Sequence, residues 1–144
     1  MSDFACRPVY RREDTVAALA VRRQVFVDEQ GIAEEEEYDG LDETAVHYVV
    51  THGDRVIATT RVRFPSATSA RVERMAVLKA YRRQGVGTRI LTFILDDLRT
   101  RRVELVVLHA QTRVRGFYRS CGFEETGEPF QEAGIEHVEM RLAL

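Results

Sequence analysis

The sequence of 144 residues is short of lysine, cysteine, proline and tryptophan: it contains one, two, three and none of these, respectively. Its two cysteines, Cys6 and Cys121, lie far apart and form no C-x-x-C motif, which excludes the spacing typical of a zinc site or a redox pair. No apolar run approaches the ~20 residues of a membrane-spanning helix, and the amino terminus lacks the apolar core of a signal peptide. These absences predict a cytoplasmic protein with ordinary thiols and no membrane partner.

A strong excess of one charge is also absent. The formal net charge is −2 at pH 7, so we expect no overall attraction to nucleic acid or anionic membranes. Hydrophobic residues make up 44% and charged residues 31% of the chain, which is typical of globular proteins. A chain of this length suits one hydrophobic core, and no linker or repeat divides it. We therefore predict a single domain over residues 1–144.

The order of the predicted elements indicates an α/β (α+β) protein. Alternating or continuous apolar runs predict strands, and apolar residues three or four apart predict helices. The central order is strand, helix, strand, so we expect a mixed sheet with helices on its faces. The predicted strands cover 4–10, 45–51, 55–64, 70–77, 103–110, 123–126 and 137–142; the predicted helices cover 14–27, with Asp14 as N-cap, 85–98 and 113–121.

The loop from Arg82 to Thr88 is the strongest indication of a ligand. It follows a predicted strand, carries two arginines and two glycines, and opens into the apolar helix 85–98. The first N–H groups of a helix have no intrahelical partner, and glycine lets a ligand approach the backbone closely. This combination predicts a site for a phosphate-bearing ligand. The spacing fits neither GxxxxGK[ST] nor GxGxxG, because Ile90 stands where the third glycine would be.

The spacing does match Arg-x-x-Gly-x-Gly, and an Arg-Met-Ala-Val strand precedes it. This pattern resembles the pyrophosphate-binding loop of the GNAT superfamily of acetyl-CoA-dependent N-acetyltransferases. The segment Phe-Tyr-x-x-x-Gly-Phe at 117–123 is similar to another GNAT segment, which follows the fifth strand. Three further patterns resemble the ElaA-like group of small prokaryotic GNAT proteins, so that the resemblance covers nearly the whole chain: Phe26-Val27-x-Glu29-Gln30-Gly31, Asp39-x-x-Asp42-x-x-Ala45-x-His47 and Phe130-x-x-x-Gly134-Ile135-x-His137-x-x-Met140.

The resemblance implies a GNAT-like, mostly antiparallel central sheet with two splayed central strands and acetyl-CoA wedged between them. It implies acetyl transfer to a primary amine of a small molecule or peptide, by direct attack in a ternary complex without a metal. It also implies homodimer formation through the carboxyl-terminal strands. The residues expected to contact acetyl-CoA are Met75, Ala76, Val77, Arg82, Arg83, Gln84, Gly85, Val86, Gly87, Thr88 and Phe117.

Tyr118 is the first predicted catalytic residue. GNAT proteins commonly have a tyrosine at this place in the motif, and its hydroxyl can give a proton to the departing thiolate. The alternative is a helix tyrosine that only packs its ring.

Glu73 is the second predicted catalytic residue. Strand alternation places it on the same face as Arg71 and Met75 and opposite Arg74. A carboxylate there can take the proton of the amine, directly or through water. The alternative is a salt bridge across the sheet to Arg61, Arg63 or Arg74.

The histidines offer weaker candidates. His109 ends a buried strand and His137 lies near the carboxyl terminus, and either imidazole can relay a proton near neutral pH. A histidine held by a backbone carbonyl is the more frequent arrangement, and we expect it for both. His47 carries still less weight. These residues lack a carboxylate at metal-ligand spacing, so we predict no metal site.

The acidic segment from Glu34 to Glu43 bears on the acceptor. Its carboxylates favour a cationic acceptor such as a polyamine, an amino sugar or a lysine-like amine if they line the acceptor pocket. A solvated, mobile run of charge is the usual structure of such a segment. Arg61 and Arg63 instead favour an acidic acceptor, and the sequence leaves this choice open. A different class of function, a catalytically silent acyl-CoA-binding sensor or regulatory module, also remains open.

Overall fold

The computed structural model describes residues 3–144 and builds them around one seven-stranded sheet. The strands are β1 (Phe4–Pro8), β2 (Val46–His52), β3 (Arg55–Ser66), β4 (Ser69–Val77), β5 (Leu105–Gln111), β6 (Glu124–Glu132) and β7 (Ile135–Ala143). The α-helices are α1 (Arg12–Arg22), α2 (Glu34–Glu37), α3 (Val86–Thr100) and α4 (Arg115–Ser120); Arg23–Glu29 is a π-helix, and Lys79–Tyr81 and Thr112–Val114 are 3₁₀ turns.

The strand order β1-β2-β3-β4-β5-β7-β6 confirms the predicted mixed sheet. Only the β4–β5 pair is parallel, because α3 carries the chain from the end of β4 back to the start of β5. Every other pair of neighbouring strands is antiparallel. None of the helices within residues 3–144 is both long and apolar enough to cross a membrane.

The two central strands splay apart, as the resemblance implied. β4 and β5 are paired only from Ser69 opposite Leu105 to Val72 opposite Leu108. Beyond that point β4 continues to Val77 against β3, and β5 continues against β7. The inner edges of β4 and β5 therefore lose their strand partners and face each other across a gap.

A β-bulge lies in β4 where this gap begins. Arg61 is opposite Glu73 and Thr59 is opposite Ala76, so β4 has one more residue than β3 over this stretch. Arg74 takes the left-handed conformation there, with φ of 55°. The prediction that Arg74 and Glu73 point to different faces of the strand is wrong. The bulge breaks the alternation, and the Arg74 side chain reaches Asp39, which also binds Arg61.

Helix α3 supplies the largest apolar face, as its spacing predicted. It begins after Gly85 and ends at Thr100, and its buried residues recur three or four positions apart. They pack in one core with strand residues such as Tyr48, Ile57 and Met140, which are fully buried. The buried residues of α3 are Val86, Ile90, Leu91, Ile94, Leu95 and Leu98.

Helix α1 differs from its prediction at both ends. It starts at Arg12, and Asp14 is not its N-cap: the Asp14 carboxylate accepts two hydrogen bonds from Arg7, at 2.6 and 2.9 Å. The hydrogen bond from Arg7 lowers the pKa of Asp14 to about 2. Beyond Arg22 the helix widens into the π-helix, whose Val25 and Phe26 are buried against the core.

The last two strands are longer than predicted. The prediction stopped the sixth strand at Thr126, before Gly127 and Pro129, whereas β6 continues to Glu132 across an irregularity between Thr126 and Phe130. The register shift absorbs the glycine and proline without ending the strand. This extension carries Glu132 to the end of β5, beside His109.

Candidate active site

The gap between β4 and β5 opens into a cleft with a volume of ≈ 1120 Å³. One wall is the bulged half of β4, and the other is the end of β5 with α4. The start of α3 and the π-helix also line it. Of the residues predicted to act in the site, twelve line this cleft: Glu73, Met75, Ala76, Val77, Arg82, Arg83, Gly85, Val86, Gly87, Thr88, Phe117 and Tyr118.

The start of α3 presents unpaired N–H groups to the cleft. Gly85 is the N-cap residue, with a φ of 79° that favours glycine, and no side chain caps the helix. The first backbone hydrogen bond runs from Arg89 N–H to the Gly85 carbonyl. The N–H groups at 86–88 therefore have no protein partner among the described residues, which is the arrangement that binds phosphate oxygens.

Gly87 allows α4 to pack closely against the start of α3. A Cβ at this position would lie 3.2 Å from Cζ of Phe117. Phe117 covers the loop from the side of α4, and its ring meets that of Tyr118 edge to face. Gly87 therefore fixes the distance between the loop at residues 82–88 and helix α4, which carries Tyr118.

The loop's polar side chains differ in their partners. Arg82 is bonded to the Glu29 carboxylate, at 2.8 and 3.0 Å, and to the Val77 carbonyl. Arg83, with φ of 62°, makes no ion pair with any described residue. Gln84 does not line the cleft, because its amide donates to the Ala80 carbonyl. Arg83 is thus the loop cation that no protein carboxylate neutralises.

Tyr118 places its hydroxyl next to the β4 bulge. The hydroxyl lies 3.7 Å from Sδ of Met75, and the ring packs between Phe117 and Phe123. Burial raises the pKa of Tyr118 above its ordinary value, because the phenolate would be poorly solvated there. The side chain therefore holds a proton across the neutral and alkaline range, at the wall where β4 loses its partner.

Glu73 makes the salt bridge that was the predicted alternative to catalysis. Its Oε1 accepts hydrogen bonds from Arg61 and Arg63, and its Oε2 accepts one from Arg63 at 2.9 Å. Burial favours a raised pKa, but the hydrogen bond from Arg63 and the charges of Arg61, Arg63 and Arg71 outweigh it and lower the pKa of Glu73. Glu73 is thus a carboxylate whose two oxygens already have donors.

The acidic segment is only in part the solvated run that its charge suggested: Glu34, Glu35, Glu36 and Glu43 are exposed, but its other carboxylates are paired. Glu34–Glu37 is a short helix, and the Glu37 side chain is 1% exposed against Arg22, also 1% exposed. Asp39 and Asp42 bind Arg61, whose side chain is fully buried. We call the connected group the arginine–carboxylate network: Arg22, Arg61, Arg63, Arg71 and Arg74 with Glu37, Asp39, Asp42 and Glu73.

Two histidines, His109 and His137, line the cleft. His137 meets the expectation of a backbone partner, since its Nδ1 lies 2.7 Å from the Ile135 carbonyl. His109 does not: its Nδ1 lies 3.0 Å from Glu132 and its Nε2 lies 3.5 Å from Glu139. The prediction of a backbone carbonyl partner for His109 is therefore wrong. His47 is held by the Asp42 carbonyl at 2.9 Å. Among residues 3–144 no three His, Cys, Asp or Glu side chains gather in a way that could hold a metal ion.

Three groups that line this cleft are not among the predicted site residues. Glu132 comes from β6, Arg71 from β4, and Gln30 from the end of the π-helix, where its amide oxygen accepts a hydrogen bond from Gln111. No local motif marks Glu132, whereas Gln30 and Arg71 lie in patterns already described and reach the cleft through tertiary pairing. These residues are far apart in the sequence, and the strand order of the sheet brings them to the same cleft.

The comparisons with known proteins agree with this geometry. Residues 6–144 match the family model described as "Acetyltransferase (GNAT) domain". The chain is 35% identical over 124 residues to the uncharacterised N-acetyltransferase YjcF of Bacillus subtilis, covering 85% of this chain and 88% of that protein. A Lactobacillus plantarum protein of known structure superposes with a TM-score of 0.92 and 28% identity over 99% of both chains.

Escherichia coli ElaA, also of known structure, superposes with a TM-score of 0.83 and 25% identity, over 98% of this chain and 99% of ElaA. The family match covers nearly the whole chain and includes the loop, the splayed strands and the Phe-Tyr segment of α4. The chain belongs to the GNAT acetyltransferase domain family and lies among its small, ElaA-like members.

Proposed function

We propose that this protein transfers the acetyl group of acetyl-CoA to a primary amine by direct attack in a ternary complex. The observation that carries the proposal is the cleft itself, where the uncapped start of α3, the unpaired edge of β4 and the Tyr118 hydroxyl meet. The N–H groups at 86–88 and Arg83 suit the pyrophosphate of coenzyme A. The edge of β4 from Met75 to Val77 suits the pantetheine arm, which would pair with it as an extended strand.

The chemistry needs few protein groups. The amine nitrogen forms a bond to the thioester carbon, and the carbon–sulfur bond breaks. A backbone N–H at the bulge polarises the thioester oxygen, and Tyr118 gives its proton to the coenzyme A thiolate. No cysteine lines the cleft among the described residues, so the chain offers no thiol there for a covalent acetyl-enzyme.

Acetyl-CoA should stabilise the folded protein in a thermal unfolding experiment. A ligand that binds only the folded state, present at ~100 times its Kd, adds about 2.7 kcal/mol, which corresponds to roughly 5–10 °C for a domain of this size. ATP and NAD at the same concentration should give no comparable shift. Absence of a shift with saturating acetyl-CoA contradicts the proposal.

A matched pair of variants localises this binding. Gly85 and Gly53 both have positive φ, 79° and 61°, and neither has an atom within 4 Å of an added Cβ. Alanine at either position strains the backbone by a similar ~1 kcal/mol. Gly85→Ala should weaken the acetyl-CoA shift, whereas Gly53→Ala, in the β2–β3 turn, should lower only the starting melting temperature. Equal ligand shifts in the two variants would place the pyrophosphate elsewhere.

The group that takes the amine's proton is tested by the pH profile of kcat/KM. The sequence predicts Glu73, whose pKa is held below its ordinary value by the neighbouring arginines. If Glu73 is the base, the acidic limb falls below the ordinary glutamate pKa of ~4.3, and Glu73→Gln abolishes it. The alternative is His109, and an acidic limb that His109→Gln alone abolishes assigns the proton to the imidazole.

A further inference from the structure

Two arginines on the cleft wall have donors that the protein does not use. Arg71 Nε is buried without a hydrogen-bond partner in the described chain, and it lies 3.7 Å from Oε2 of Glu73, too far for a hydrogen bond. Arg63 commits Nε and Nη2 to Glu73, while its Nη1 has no acceptor within residues 3–144. Both side chains line the cleft and are 29% exposed. A buried guanidinium N–H without an acceptor is costly, so this wall favours an anionic ligand.

The charge balance points the same way. The arginine–carboxylate network contains five guanidinium groups and four carboxylates, so one positive charge is left uncompensated. The carboxylates of the acidic segment that belong to the network are engaged by Arg22, Arg61 and Arg74. These carboxylates are therefore not available to hold a cationic acceptor, whereas Arg63 Nη1 and Arg71 Nε still lack an acceptor in the described chain.

A carboxylate, that of Glu132, lies close to the His109 ring, as does Arg71. Arg71 Nη2 lies 3.3 Å from the His109 ring, and Glu132 Oε1 lies 3.0 Å from Nδ1 of the same ring. Glu132 lines the cleft and its side chain is 46% exposed, so a ligand can reach it. A guanidinium and a carboxylate thus lie 3.3 and 3.0 Å from the same imidazole nitrogen, so a ligand bound there meets a cation and an anion close together.

We infer that the acetyl acceptor is an α-amino acid, bound through its own carboxylate. The carboxylate of the ligand lies against Arg63 and Arg71, and its amine lies at His109 and Glu132. The short separation of the two charged groups suits an amine and a carboxylate on one carbon. A polyamine would bring a second cation to the two arginines, and a peptide amino terminus has an amide where the carboxylate is required. This inference rests on the proposed acetyl transfer and names its substrate class.

Matched acids and amides test the inference. A panel of L-amino acids and their α-carboxamides is offered with acetyl-CoA, and thiol release gives kcat/KM for each. We expect the acid to be preferred over its amide by about tenfold to a hundredfold, the usual effect of losing hydrogen bonds to a charged group. Arg71→Gln and Arg63→Gln should each reduce this preference. Arg99→Gln removes an exposed arginine that binds Asp96 outside the cleft, and it should keep the preference.

Each outcome separates the inference from the function on which it rests. Equal or better turnover of amides or of spermidine overturns the amino-acid assignment and leaves acetyl transfer intact. Binding of acetyl-CoA without turnover of any amine contradicts the proposed function instead. A titration of N-acetyl amino acids into the protein saturated with CoA gives a readout without turnover. The acid should bind more tightly than its amide, Arg71→Gln should abolish the difference, and equal affinities overturn the inference.

Discussion

Tyr118→Phe should lower kcat by about 10²- to 10⁴-fold, the range usual for loss of a general acid. The hydroxyl lies beside Met75 at the β4 bulge, and phenylalanine keeps the ring contacts with Phe117 and Phe123. The KM for acetyl-CoA should therefore change little, because the loop at the start of α3 is untouched. Steady-state kinetics with a saturating amine measure both quantities.

The control for this change is Tyr10→Phe, which removes an equivalent hydroxyl from a side chain that is 75% exposed and outside the cleft. It should leave kcat unaltered. Because burial raises the pKa of Tyr118, its hydroxyl should also give the wild-type profile no alkaline limb below about pH 10. A change in kcat of less than about threefold in Tyr118→Phe would instead support ring packing as the role of Tyr118. If turnover is also unchanged in Glu73→Gln, both catalytic assignments are wrong.

Arg61→Met should reduce the free energy of unfolding by about 3–5 kcal/mol, the usual cost of breaking a buried ion pair from one side. The Arg61 side chain is fully buried and binds Asp39, Asp42 and Glu73, so its removal leaves carboxylates without a cation in a partly desolvated place. Chemical denaturation at pH 7 measures the loss. Native proteins are stable by only ~5–15 kcal/mol, so this change consumes a large part of the total.

Arg99→Met is the matched control, because its ion pair with Asp96 is exposed and should contribute at most ~1 kcal/mol. Acidification supplies a second check. The pKa values of Asp39 and Glu73 are lowered in the folded protein, so their ionisation stabilises it above the ordinary carboxyl range near pH 4. That contribution is lost as the pH falls through the lowered values. The wild type should therefore lose more stability on acidification than Arg61→Met, and parallel pH curves would contradict this account of the network.

The parts of the fold that the sequence predicted are those with strong local patterns. The spacing along α3 and the β-branched run of β5 specify their elements without help from the rest of the chain. Gly85 and the N–H groups after it could be placed for the same reason, since a loop between a strand and a helix has few conformations. Residues 82–88 alone therefore indicated the uncapped helix start that follows Gly85.

The parts that could not be predicted depend on tertiary pairing. Nothing near Glu37 in the sequence indicates that it will be buried against Arg22, so the charge run alone predicts either a solvated segment or one that lines the acceptor pocket. The bulge at Arg74 arises from the mismatch of β3 and β4, and alternation along one strand does not contain that information. Homodimer formation through the carboxyl-terminal strands stays a prediction; β6 is an outer strand of the sheet and so offers a free edge.

The short pairing of β4 with β5 separates the sheet into two parts, here called lobes, which still share one hydrophobic core. Helices α1 and α3 pack on the lobe of β1–β4, and α4 packs on β5 and β6. Within residues 3–144 the β4–β5 ladder has four residue pairs, and a cofactor in the cleft would touch both lobes. Such a ligand would hold the two sides of the cleft together. Its binding energy would then resist shear between the lobes, so that the same contacts that hold the donor also keep Tyr118 aligned with the bulge.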